Sequence, residues 1–170
     1  EAQSVRGRAG LIDLSSFGKL EVAGPGALGL LQHVAANDVD KPVGTIVYTP
    51  WCDDRGGMVA DVTTTRLAED RWRVITGAGF AAGELAWLRM RAAAIDAEVT
   101  LRDVSDDLAT IGLWGPRARD ILGAATSEAD IDDAAIPMRR AGTIRVAGAP
   151  VLASRISYAG ELGWELTVSR

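Results

Sequence analysis

Two short segments of the sequence carry carboxylates where an ordinary strand or turn has little need of them. The first, YTPWCDDRGGMVADVTTTRL, places Asp61 inside a run of apolar and β-branched residues. On a strand of that kind a carboxylate either faces solvent or is held towards a pocket, where it would meet a cationic or protonated ligand nitrogen. The residue pattern alone favours the solvent-facing alternative.

The second segment, SYAGELGWELTV, contains Glu161 in a turn between Gly160 and Gly163, with Tyr158 and Trp164 on either side. Glycines at both ends let the backbone approach a ligand closely, because they carry no Cβ. A carboxylate in such a turn can accept two hydrogen bonds from adjacent N–H groups of a planar heterocycle. The alternative is an ordinary exposed hairpin turn, and this pattern by itself favours it.

A third segment, VITGAGFAAGEL, resembles the start of a dinucleotide-binding unit because glycines at 77, 79 and 83 follow an apolar run. That motif requires a buried, nearly continuous apolar strand that opens a βαβ unit. Here the strand alternates, as Arg71, Trp72 and Arg73 show, and it follows a hairpin. The third glycine also comes one residue late for the motif. We therefore set dinucleotide binding aside.

The composition excludes several classes of protein. The chain has 170 residues, 48% hydrophobic and 24% charged, which predicts a globular chain with a sizeable core. Its apolar stretches fall short of the roughly 18 residues that cross a membrane, and no secretory signal is recognisable, so we expect a cytoplasmic protein. Cys52 and His33 are alone of their kind, which argues against a disulfide or metal site. Scattered arginines and a net charge of -5 argue against nucleic-acid binding and favour a small-molecule partner.

The elements that must position these residues follow from hydrophobic periodicity. Alternation and turn residues predict short strands joined by tight turns, and Ala-rich and Leu-rich runs predict helices. The expected strands are residues 18–23, 45–50, 58–67, 71–76, 98–103, 142–146, 151–158 and 163–168, and the expected helices are residues 27–34 and 81–94. Adjacent strands linked in this way predict antiparallel sheets flanked by helices, an α+β fold.

A weak internal repeat predicts how the chain is divided. The order Asp-Leu-Ser, strand, Gly-Pro, helix at residues 13–34 recurs as Asp-Val-Ser, strand, Gly-Pro, helix at residues 103–122. Two equivalent strand-to-helix units would then pack together around an inserted segment. We expect one lobe from residues 1–45 plus 109–170 and an inserted lobe from residues 46–108.

Three segments in this order resemble the folate-binding aminomethyltransferase family: VRGRAGLIDLSSFGKLEVAGPGA, IVYTPWCDDRGGMVADVTTTRL and SRISYAGELGWELTV. That family includes the T-protein of the glycine cleavage system and the C-terminal halves of dimethylglycine and sarcosine dehydrogenases. The resemblance covers nearly the whole chain, and the last segment with Thr76-Gly77 is more similar to the dehydrogenase branch. It implies a T-protein-like domain of two intertwined lobes that binds tetrahydrofolate.

The resemblance also implies roles for individual residues. Asp61 matches the carboxylate that faces the N10 region of tetrahydrofolate, where it would stabilise the positive charge that develops as a one-carbon unit leaves an amine. Glu161 matches the acidic residue that hydrogen-bonds the pterin ring. The residues that would bind folate are Glu161, Tyr48, Thr76, Gly77 and Tyr158.

The sequence departs from the T-protein pattern at several points. Gly77 stands where the T-protein usually has an asparagine that holds the pterin, Cys52-Asp53 stands where many relatives have Leu-Asn, and Ala60 replaces a second Asp. Family members continue into a C-terminal domain that helps close the folate site, and the dehydrogenases carry FAD on a preceding domain. We expect residues 1–170 to lack both and to be inactive alone.

Two alternatives stay open beside one-carbon transfer from a methylated or aminomethylated amine. One is a folate-binding or regulatory module of the same fold that transfers nothing. The other is a related demethylase that acts on a sulfonium compound with the same folate acceptor.

Overall fold

The computed structural model describes residues 2–126, 131–158 and 160–170. Its helices are α1 (Ala2–Gly7), α2 (Ala27–Val34), α3 (Ala81–Ala94) and α4 (Ala118–Ala125). Its strands are β1 (Gly10–Asp13), β2 (Gly18–Ala23), β3 (Ile46–Cys52), β4 (Met58–Ala68), β5 (Arg71–Thr76), β6 (Thr100–Asp103), β7 (Leu108–Trp114), β8 (Ala141–Val146), β9 (Ala149–Ser154) and β10 (Gly163–Ser169). The chain forms two compact units: the described residues of 1–15 and 107–170 (unit 1), and Ser16–Asp106 (unit 2).

Unit 2 is built on an antiparallel sheet with strand order β3-β4-β5-β2-β6. Apolar side chains alternate along these strands, so one face of the sheet is buried with residues from α2 and α3. Trp51 and Trp72 are fully buried on that face, and Leu88 of α3 packs into the same cluster. The other face of the sheet carries polar residues such as Lys19 and Thr65 together with Ile46 and Ile75, and Lys19, Ile46 and Thr65 are buried there.

Unit 1 has its own antiparallel sheet, with strand order β1-β7-β10-β9-β8. Its separate hydrophobic cluster includes Leu113, Trp164 and Val151 from the strands and Leu122 from α4. β8 and β9 form a tight hairpin. Two antiparallel sheets with flanking helices confirm the expected α+β class.

The internal repeat corresponds to real structure, and each copy starts in one unit and continues into the other. The Asp13 carboxylate accepts a hydrogen bond of 2.8 Å from the Ser15 backbone N–H, and Asp103 accepts one of 2.9 Å from Ser105. Each copy therefore begins with the same Asx turn. Each then continues through a strand and a Gly-Pro step into a helix of eight residues, α2 or α4.

The glycine of the Gly-Pro step has the same conformation in both copies. Gly24 has φ of 118° and Gly115 has φ of 127°, a region that side-chain-bearing residues avoid. A Cβ at Gly115 would also lie 2.6 Å from the carbonyl oxygens of Val5 and Arg8. Only glycine fits at this position without strain.

The division of the chain differs from the expected lobes. Residues 16–45, expected in the lobe of residues 1–45 plus 109–170, lie in unit 2. The reason is strand pairing: β2 is hydrogen-bonded to β5 on one side and β6 on the other, and α2 packs in the same core. The strand expected over residues 151–158 also ends earlier, at Ser154, and β1 and α1 were not expected.

Candidate functional site

Asp61 lies on the polar face of the unit 2 sheet. Ala60 and Val62, its neighbours on β4, are buried in the core, so alternation directs Asp61 to the opposite face, where it is exposed. It is paired with Pro50 of β3, and Tyr48 lies two residues along that strand. Asp61 and Tyr48 are therefore diagonal neighbours on one face. Tyr48 is 58% exposed.

This pair combines two properties that suit a small planar ligand with basic nitrogens. The Asp61 backbone is held in the sheet by its pairing with β3, and its exposed carboxylate can stabilise positive charge on a ligand. The Tyr48 ring adds a largely exposed aromatic surface with a hydroxyl at its tip. Both lie close to the hairpin turn of residues 53–57.

An ion pair organises the centre of the same face. Arg73 is paired with Glu21 across β5 and β2, and with Thr65 across β5 and β4, which places it on the Asp61 face. The Arg73 Nη2 to Glu21 Oε2 distance is 3.3 Å, and the two side chains are 13% and 18% exposed. Burial lowers the pKa of the Arg73 guanidinium, and the hydrogen bond to Glu21 opposes that effect. The pair is therefore held inside the protein surface, away from bulk solvent.

The hairpin turn between β3 and β4 is anchored from outside the sheet. The Asp53 carboxylate accepts a 2.8 Å hydrogen bond from the Gly57 N–H within the turn. The neighbouring Asp54 carboxylate is paired with Arg91 of α3, at 3.1 Å to Nη1 and 2.5 Å to Nη2. Hydrogen bonding from Arg91 is the main cause of a lowered pKa at Asp54. The same guanidinium lies 3.0 Å from Nε2 of His33, so three elements meet at Arg91.

Thr76 and Gly77 occupy the end of β5 and the turn that follows. The side chain of Thr76 is 3% exposed. By strand alternation it lies on the core side with Val74, opposite the face that bears Asp61. The accessible part of this dipeptide is therefore the Gly77 backbone, which is partly exposed.

The remaining two predicted site residues belong to unit 1. Tyr158 is fully exposed, and Glu161 is half-buried beside Gly160, whose φ is 82°. The next two residues are held at the end of β7: Gly163 pairs with Trp114, and the Gly115 N–H donates a 2.8 Å hydrogen bond to the Leu162 carbonyl. Four predicted residues thus lie in unit 2 and two in unit 1, and their combination into one site stays a prediction.

Three charged residues near the site were not singled out from the sequence. Glu84 lies on the buried face of α3, and its position was readable because Ala81, Leu85 and Leu88 share that face at helical spacing. The position of Arg73 could be predicted in the same way, from the alternation of residues along its strand. The contact of Arg91 with a turn distant in the sequence could not be predicted from neighbouring residues.

Within residues 2–126, 131–158 and 160–170, no three His, Cys, Asp or Glu side chains gather as a metal site would require. No helix in these ranges has the length and apolar character to cross a membrane.

Sequence comparison decides the family. The family described as "GCVT N-terminal domain" matches residues 1–170. The chain belongs to this family. The GCVT N-terminal domain is 36% identical over 166 residues to dimethylglycine dehydrogenase, mitochondrial, of Rattus norvegicus, covering 98% of this chain and 19% of that protein. It is 39% identical over 168 residues to an aminomethyltransferase of Lysinibacillus sphaericus, covering 98% of this chain and 44% of that protein.

The fold of this GCVT N-terminal domain is also that of a solved relative. The crystal structure of glycine cleavage system aminomethyltransferase T from Bartonella henselae matches with a TM-score of 0.83 at 26% identity, covering 98% of this chain and 43% of that one. The resemblance inferred from the three sequence segments is thus confirmed. The domain spans less than half of the length of each of these relatives.

Proposed function

We propose that this GCVT N-terminal domain binds tetrahydrofolate and contributes to a site where a one-carbon unit passes from a methylated or aminomethylated amine to the folate. The observation that supports it best is that Asp61 and Tyr48 are exposed diagonal neighbours on β4 and β3 of the unit 2 sheet. Relatives named aminomethyltransferase and dimethylglycine dehydrogenase act on substrates of the corresponding chemical class.

The donor groups on this face fit such a ligand. Tetrahydrofolate, when bound, supplies the nitrogen nucleophiles that accept the one-carbon unit, giving 5,10-methylenetetrahydrofolate. Tyr48 offers an aromatic surface for a planar ring, and Asp61 offers a fixed acceptor for an N–H or a positively charged nitrogen. Glu161 and Tyr158 of unit 1 are proposed to bind the pterin ring as the resemblance implies.

Asp61 is the residue to which we assign the reaction centre. As the one-carbon unit leaves the donor, positive charge develops on nitrogen, and a carboxylate already oriented by its strand stabilises that charge. The same carboxylate can accept a proton from the attacking amine.

Where the donor resembles dimethylglycine, we propose that FAD is bound by another part of the protein. A folate-binding module without transfer activity is the second candidate, and the replacement of the T-protein asparagine by Gly77 favours it.

The decisive experiment uses the full-length protein and the substitution Asp61→Asn. The change removes the negative charge and keeps the shape, so we expect tetrahydrofolate-dependent transfer to fall on the order of 100-fold while folding is unchanged. Asp70→Asn, an exposed aspartate in the β4–β5 turn, is the matched control and should retain full activity. Isothermal titration of the wild type with tetrahydrofolate is run in parallel. Absence of folate binding would refute the proposal, and binding without transfer would establish the module.

A further inference from the structure

The outer edge of β3 is covered in part by the segment of residues 35–37, which follows α2. β3 is an edge strand of the unit 2 sheet, and its inner edge pairs with β4. On the outer edge, Ala35 pairs with Trp51 in an antiparallel bridge, and the Ala36 N–H donates a 3.0 Å hydrogen bond to the Pro50 carbonyl. An edge strand that is held on one side only has its outward backbone groups left unpaired. The segment therefore holds β3 from the side opposite β4.

Asn37 contacts β3 with both its side chain and its backbone. Its Nδ2 donates a 2.7 Å hydrogen bond to the Tyr48 carbonyl, and its backbone N–H donates a 3.0 Å hydrogen bond to Oγ1 of Thr49. Thr49 is fully buried, and its hydroxyl donates in turn to the Pro50 carbonyl at 3.0 Å. The Tyr48 and Pro50 carbonyls face the same side of the strand because they are two residues apart. The Asn37 amide therefore acts as the N–H of an added strand would.

The two carbonyls held on the outer edge belong to the β3 residues beside Asp61. Pro50 is opposite Asp61, and Tyr48 is its diagonal neighbour. One residue beyond Pro50, the pairing with β4 becomes irregular, since its register shifts between Trp51 and Cys52. A shift of this kind bends the strand and increases its twist. The position of Tyr48 relative to Asp61 therefore depends on the contacts of the outer edge as well as on β4.

The loop after Asn37 is tied to α2. Nε2 of Gln32 donates a 2.9 Å hydrogen bond to the Asp38 carboxylate, and Oε1 of Gln32 accepts one of 2.8 Å from the Val39 N–H. Val39 is buried in the core of unit 2. Gln32 thus holds this loop from the helix side, and Asn37 holds it from the strand side.

We propose that Asn37 is a positioning residue, whose side-chain amide holds the Tyr48 carbonyl and so sets the Tyr48 ring beside Asp61 for the folate. The ligand rests on the proposed function, whereas the contact of Asn37 with β3 does not. Asn37 is exposed, so its truncation leaves the core packing intact. Loss of the amide removes one of the contacts on the outer edge and lets this part of β3 open more often.

The first arm of the test reads β3 without any ligand. Hydrogen–deuterium exchange of the full-length protein is followed by mass spectrometry in the peptide of Ile46–Cys52, for the wild type, Asn37→Ala and the control Gln32→Ala. The peptide should exchange about 2- to 10-fold faster in Asn37→Ala, the range that one net hydrogen bond supports. It should exchange at the wild-type rate in Gln32→Ala, which removes an exposed amide that holds the same loop from α2. A wild-type rate in Asn37→Ala, or equal acceleration in both variants, overturns the proposal.

The second arm measures the Kd of tetrahydrofolate in the full-length protein. Asn37→Ala should raise Kd about 2- to 10-fold, by the same hydrogen-bond argument, and Gln32→Ala should leave it unchanged. Asn37→Asp, which keeps the shape but replaces the donor by a carboxylate at neutral pH, should raise Kd at least as much as Asn37→Ala. Wild-type affinity in Asn37→Ala or in Asn37→Asp refutes the positioning role.

A double-mutant cycle separates positioning of the Tyr48 ring from a general loss of stability. In the background Tyr48→Leu, which removes the ring, Asn37→Ala should have no further effect on Kd. The same rise in Kd with and without the ring contradicts the proposal. If the wild type binds no tetrahydrofolate, the proposed function fails, and the exchange arm still decides whether Asn37 holds β3.

Discussion

The burial of the Glu84 carboxyl group leads to a prediction about protein stability that does not depend on any ligand. The folded protein holds this carboxyl with a raised pKa, whereas the unfolded chain holds it at the ordinary value of 4.5. Between those two values the folded state binds more protons than the unfolded state, so the free energy of unfolding falls as the pH rises. The contribution of protonated Glu84 to the free energy of unfolding is fully present below pH 4.5, and it is lost once the pH exceeds the pKa of Glu84 in the folded state.

The pH slope that a single titrating group adds to the unfolding free energy cannot exceed about 1.4 kcal/mol per pH unit. We therefore expect the unfolding free energy of Glu84→Gln minus that of the wild type to increase with pH across this window, by no more than about 1.4 kcal/mol per pH unit. The buried amide of the glutamine adds an offset, but the offset does not depend on pH.

Urea denaturation at half-unit pH steps measures this difference directly. The control Glu98→Gln removes one exposed carboxylate and should run parallel to the wild type throughout. The reasoning is refuted if Glu84→Gln also runs parallel to the wild type, or if the difference decreases with pH. Either result would mean that Glu84 is solvated in the folded protein.

Two further predictions concern positions where the backbone or a turn is held. Gly115→Ala should destabilise the protein by about 1–3 kcal/mol or more, because φ is 127° and the new Cβ would press against two carbonyl oxygens; Gly29→Ala, in the middle of α2 with open space around it, should be neutral or stabilising by up to about 1 kcal/mol in the same urea assay. Arg91→Met should release the hairpin turn of residues 53–57, which the Asp54–Arg91 ion pair anchors, and should speed amide hydrogen exchange in that turn. The control Arg89→Met, which changes an exposed arginine of the same helix, should leave the exchange rates unchanged. Equal exchange rates in the two variants would show that the ion pair does not stabilise the turn.

Much of the local structure could be predicted because it depends on residues that are close together in the sequence. The alternation of GKLEVA gave β2 with its bounds at Gly18 and Ala23, and the spacing of apolar residues gave α2 and α3 with theirs. The Asp-x-Ser and Gly-Pro repeat was also correct as a structural signal. Each of these features depends on residues within one or two turns of chain.

Strand pairing is different, because it is decided between residues far apart in the sequence. Nothing within residues 16–45 indicates that β2 pairs with β5 and β6, and so the lobe boundary was placed too late in the chain. The extended character of residues 155–158 was mistaken for strand because no local residue marks the end of pairing at Ser154.

The candidate site shows the same division. The orientation of Asp61 follows from alternation along β4, and the same rule places Thr76 on the buried side with Val74, so its side chain was available to prediction as a core residue. The contact between Arg91 of α3 and Asp54 was not, because it depends on how α3 packs beside a turn that is distant in the sequence.

The pairing of β1 with β7 has a consequence for the order of events during synthesis. Asp13 is opposite Ile111 in that pair, and the whole of Ser16–Asp106 is translated between them. The intervening residues contain a complete sheet and its own core. We therefore expect them to fold during synthesis, before β7 has been translated and can pair with β1. Until β7 emerges, β1 is an unpaired edge open to other chains. A substitution that slows folding of the middle of the chain would therefore lengthen that exposure and increase aggregation of the nascent protein, even where the finished domain is barely destabilised.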